Sequence, residues 1–100
     1  ARPIRDFTKE LIGGIAENSR KIDELITTYA QGWDMDRLPA VDRNILRLAI
    51  YEIVWSTELA DGIAIDEALT LAKELSTDES AGYIHGVLGK ISSIKESIPL

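Results

Sequence analysis

Residues 33–52 read WDMDRLPAVDRNILRLAIYE, and this stretch decides the fold class. Pro39 has a fixed φ and no N–H, so it suits the first turn of a helix or the turn just before one. Beyond it Val41, Ile45, Leu48, Ala49, Tyr51, Glu52 and Ile53 keep the three-to-four-residue rhythm of one buried helical face. Arg43 and Arg47 lie four apart and project side by side. The segment predicts a central helix that ends around Ser56–Thr57.

The pattern repeats on either side. After Pro3, Phe7, Leu11, Ile12 and Ile15 mark an amphipathic helix, with Gly13–Gly14 as a weak point or a close helix contact. Asn18 or Ser19 caps a second segment carrying Ile22, Leu25, Ile26 and Tyr29, which should stop near Gly32. Downstream, Ala60–Asp61–Gly62 breaks the rhythm before Ile63, Ala64, Ala68, Leu71, Ala72 and Leu75 resume it. Ser76–Thr77–Asp78–Glu79 supplies cap oxygens and acids suited to a helix N-terminus. A last helix carries Tyr83, Ile84, Val87, Leu88, Ile91 and Ile94 and fades before Pro99. No segment alternates with the period of a strand. The expectation is one all-α domain over residues 1–100, a compact helical bundle of about five helices around the Val41–Ile53 rod.

Composition narrows the chemistry. With no cysteine and one histidine, the 100-residue chain offers neither a disulfide framework, nor a thiolate zinc site, nor a histidine-rich metal centre. No metal or cofactor is expected. No apolar run approaches the roughly 20 residues of a membrane span, and a cytoplasmic setting fits the lack of cysteine. Seventeen acids against eleven bases leave a net charge of −6, which repels nucleic acid at long range. Any RNA contact must then be local or shared with a basic partner. Arg2, Arg5, Lys9, Arg20 and Lys21 lie early, whereas acids dominate from Glu58 to Glu79, so a basic face is expected near the N-terminus.

Catalysis finds little to work with. Gly86-Val87-Leu88-Gly89 lacks the lysine and preceding strand of a phosphate loop, so its glycines are read as permitting close helix packing. His85 is read as a polar cap at the edge of the core. Glu52 and Glu67 sit among apolar residues on helices expected to be mostly buried, where a carboxylate is costly unless paired. Arg43 and Arg47 are the nearest cations, and an inter-helix network of Arg43, Arg47, Glu52 and Glu67 is expected in preference to a general-acid dyad.

Taken together, Trp33, Arg37-Leu38-Pro39-x-Val41-Asp42-Arg43, Ile45-Leu46-Arg47-x-Ala49-x-Tyr51-Glu52, Ala64-Ile65-Asp66-Glu67-Ala68, Leu71-Ala72-Lys73 and Gly86-Val87-Leu88 resemble the NusB family of transcription antitermination factors. The resemblance runs along essentially the whole chain. It implies an all-helical fold without catalytic activity. It also implies pairing with a ribosomal small-subunit protein, called NusE in this role, and binding of the pair to boxA RNA of nascent ribosomal RNA leaders. The setting is an RNA polymerase antitermination complex, with no membrane involved; a homodimer is among the assemblies left open. By the same resemblance Asp36 and Asp42 would meet the basic partner as exposed acids, and Glu79 and Tyr83 would lie near RNA. By the resemblance the chain is expected to be the C-terminal part of such a protein, without the family's arginine-rich start and N-terminal helices; His85 stands where the family commonly has Asn, and Gly89 where it has an acid. Two other readings compete. A similar helical domain precedes the catalytic domain of ribosomal-RNA cytosine methyltransferases, and an unrelated bundle could serve only as a self-associating scaffold.

Overall fold

The computed structural model of the chain describes residues 13–30, 38–56 and 60–98. Among them are α1 (described over 13–17), α2 (Ser19–Tyr29), α3 (Ala40–Val54), α4 (Asp61–Leu75), α5 (Asp78–Ile94) and a 3-10 turn, Lys95–Ser97. No strand occurs among the described residues, and the all-α bundle is the fold observed. Phe7, Leu11, Ile12, Gly32, Trp33, Asp36, Arg37 and Thr57 lie outside the described residues, as does most of the expected basic N-terminal face.

The helix boundaries follow local chemistry. Thr77 Oγ1 accepts from the Ser80 amide at 2.9 Å, and Asp78 and Glu79 occupy the first turn of α5. That satisfies one orphan donor and complements the helix dipole. Asn18 does stand at the N-cap of α2, but its side-chain amide instead donates to the Gly14 carbonyl at 2.8 Å, fastening the end of α1. α4 begins at Asp61, earlier than the glycine at 62 suggests. Asp61 is anchored there, accepting from Ser92 Oγ at 2.7 Å and Lys95 Nζ at 2.8 Å. Burial pushes its carboxyl pKa up, but these two hydrogen bonds and the Lys95 charge outweigh that and hold it below the usual value.

α3 and α5 each pack against α2 and α4 and against one another. The largest fully buried side chains, Ile22 and Ile26 of α2, Leu46 and Ile50 of α3, and Ile84, Leu88 and Ile91 of α5, fill the centre. α4 contributes Ala64, Ala68 and Ala72, a stripe of small side chains that lets its axis approach α3 and α5 closely.

Three expectations about packing are corrected. The buried face of α3 is Asp42, Ile45, Leu46, Ala49, Ile50, Glu52 and Ile53. Val41 is 39% exposed and Leu48 and Tyr51 lie at the margin, because neighbours press on α3 from several sides and centre its contact arc on Leu46 and Ile50. The apolar stripe of α4 also frays at its ends, with Ile63 50% and Leu75 61% exposed. The glycines of α5 do not serve close packing: a Cβ at Gly86 or Gly89 would meet nothing within 4 Å. The alanines supply the close approach instead. Gly14 is the glycine with a packing reason, since a Cβ there would overlap the Tyr51 ring. That ring in turn stacks on Trp55, with centroids 6.3 Å apart.

Candidate partner and RNA surface

The N-termini of α3 and α5 meet around a cavity of about 280 Å³ lined by Leu38, Pro39, Asp42, Thr77, Glu79, Ser80 and Tyr83. Pro39 stands at the N-cap of α3 with φ −54° and ψ 142°, turning the chain so that Asp42 falls in the first helical turn. Three residues singled out from the sequence, Asp42, Glu79 and Tyr83, are thus brought to one place. The fourth, Asp36, lies outside the described residues.

Asp42 is not the exposed acid that was expected: it is only 3% exposed. It lies in phase with Leu46, Ala49 and Ile53 on the core face, a periodicity that the sequence already carried. Its Oδ2 accepts from Ser80 Oγ at 2.7 Å, and Ser80 Oγ accepts from Ser76 Oγ at 3.1 Å, so a short hydrogen-bonded chain ties α3 to the start of α5. The other oxygen, Oδ1, is buried without a partner among the described residues. A buried carboxylate at a helix N-terminus gains from the dipole, but half of its acceptor capacity here is unused. Glu79 is exposed at the rim. Tyr83 is half-buried, and burial raises its phenol pKa above the ordinary value.

Tyr83 also borders a second, shallower depression of about 590 Å³ with Thr28, Tyr29, Gly82, Gly86, Val87 and Lys90. Gly82 and Gly86 bare the α5 backbone there, and Tyr29 and Tyr83 offer aromatic surface beside the Lys90 ammonium. Sequence reading missed Tyr29, Lys90 and Ser80. Tyr29 reads as another member of the α2 stripe, while Lys90 carries a usable signal, seven positions after Tyr83 and so on a neighbouring part of α5.

The expected four-residue network is not what forms. Arg47 Nε donates to Asp23 Oδ1 at 2.9 Å and Nη2 to Asp23 Oδ2 at 3.0 Å, a two-pronged tie between α3 and α2. Residues five apart on a helix point about 140° away from each other, so Arg47 faces α2 while Glu52 faces α4. Glu52 and Glu67 line a common cavity instead, joined there by neither Arg43 nor Arg47. Arg43 is part-buried one turn before Arg47, and His85 is exposed rather than at the edge of the core. Among the described residues no group of three or more potential ligands gathers in a way that would hold a metal ion, and no helix is long and apolar enough to cross a membrane.

An all-helical bundle with a polar cavity between two helix N-termini is the class of protein so defined. The NusB family model matches residues 2–93. The transcription antitermination protein NusB of Thermobifida fusca is 49% identical over 98 residues, 98% of this chain and 69% of that protein. Its counterpart in Streptomyces avermitilis is 48% identical over 96 residues, 96% of this chain and 67% of that protein. A solved structure of T. maritima NusB superimposes with a TM-score of 0.83 at 36% identity, covering 93% of this chain and 69% of that one. The chain belongs to the NusB family, whose work is transcription antitermination and not enzymatic turnover.

Proposed function

We propose that the chain acts in antitermination as a docking body, holding the basic ribosomal protein NusE against the junction of α3 and α5 and binding boxA RNA jointly with it. The observation that carries this reading is that Asp42, Glu79 and Tyr83 line one cavity. A cationic partner suits the acidic chain, whose net charge of −6 opposes unaided capture of RNA. Tyr83 lies on the boundary between the cavity and the Tyr29–Lys90 depression, so one aromatic ring borders both surfaces. The relatives quoted above are antitermination proteins, which favours this reading over the substrate-binding domain of a methyltransferase.

The test is boxA RNA binding by the chain alone and with NusE, across a salt series. The expected result is weak, salt-sensitive binding alone and markedly tighter binding by the pair. Tyr83→Leu, which keeps an apolar side chain but removes the stacking face, should weaken the pair's RNA affinity by about 1–3 kcal/mol. Equally tight, salt-insensitive binding by the isolated chain would contradict the proposal.

A further inference from the structure

Glu52 is 6% exposed, and its Oε2 is buried without a hydrogen-bond partner among the described residues. It lines a cavity of about 20 Å³ in the seam between α3 and α4. The other titratable group lining that cavity is Glu67 of α4, which is exposed; every remaining lining side chain is Ala, Ile or Leu. On the other flanks of α3, Arg47 is committed to Asp23 of α2 and Asp42 to Ser80 of α5. A carboxylate this buried, beside a second negative charge and with no cation lining its cavity, is among the costliest arrangements in a protein interior.

We propose that Glu52 holds its proton to higher pH than an exposed glutamate does and that the Glu52–Glu67 pair is a proton-held latch on the α3–α4 seam. The asymmetry of the pair assigns the roles. Glu67 is in water while Glu52 is buried, so of the two it is Glu52 that gains by holding a proton, and like charges are then not brought together in the seam. Losing the proton from Glu52 sets two carboxylates against each other where α4 otherwise presents only Ala64, Ala68 and Leu71 to the cavity, and relief comes from separating the helices. Burial first, and the Glu67 charge second, push the Glu52 carboxyl above its ordinary value of 4.5. The sign follows from linkage. Between 4.5 and the raised folded-state value, the native chain binds a proton that the unfolded chain has lost. Stability is therefore full below that window and falls as pH rises through it.

The experiment is a carbon-detected NMR titration of the glutamate carboxyls of the full chain, with thermal melts of wild type, Glu52→Gln and Glu67→Gln over the same pH range. The Glu52 midpoint is expected above the ordinary glutamate range and lower in Glu67→Gln. Glu52→Gln is expected to flatten the fall of Tm with pH. A Glu52 midpoint in the ordinary range, or one unmoved by Glu67→Gln, overturns the latch, as does a Glu52→Gln chain that keeps the wild-type pH slope. If Glu52→Gln does not fold, the midpoint shift in Glu67→Gln decides alone.

Discussion

Asp42 and Glu52 are the two carboxylates that α3 takes out of water, and the fold treats them differently. Asp42 receives a hydroxyl from Ser80 and sits at the dipole-favoured end of its helix, whereas Glu52 lies ten residues on, without either support. Ser80 is therefore worth more than an ordinary surface serine. Ser80→Ala strips the Asp42 carboxylate of that donor and is expected to cost about 1–3 kcal/mol in denaturant unfolding. A loss indistinguishable from zero would show that the carboxylate finds water or another donor without disturbing the fold. The burial of Asp42 is legible in its phase with Leu46, Ala49 and Ile53, whereas the expectation of an exposed acid rested on the family resemblance. Ser80 was not readable at all, because its partner lies 38 residues away.

The helices meet through a few identifiable devices. Arg47 and Asp23 join α3 to α2 by two parallel hydrogen bonds, partly exposed, and are expected to be coupled by about 0.5–1 kcal/mol in a double-mutant cycle read by urea unfolding. The same cycle between Arg47 and Glu52 should show no coupling. The glycines divide by what faces them. Gly86→Ala places a methyl in open space and should stabilise the isolated chain by about 0.5–1 kcal/mol, since helical glycine is unfavourable relative to alanine. Gly14→Ala drives a methyl into the Tyr51 ring and should lower Tm. Periodicity alone located α2 to α5 and the α5 cap correctly, because apolar spacing and cap oxygens act within one turn. It misjudged the α5 glycines and the partner of Arg47. Those depend on which neighbour each helix face meets, and helical phase does not encode that across 24 residues of sequence.

The molecule as a whole is an acidic body whose described helices close around an aliphatic centre and leave their chemistry at the seams. Its net charge makes it a better receiver of cations than of RNA, and the α3–α5 junction is where an unused buried oxygen, an exposed carboxylate and an aromatic ring converge. The decisive measurement is amide chemical-shift mapping of the isotope-labelled chain titrated with NusE. Shifts gathered on residues 38–42 and 77–83, diminished by added salt, are the predicted result. Shifts confined to the outer face of α2, or none at concentrations that saturate RNA binding by the pair, would contradict it.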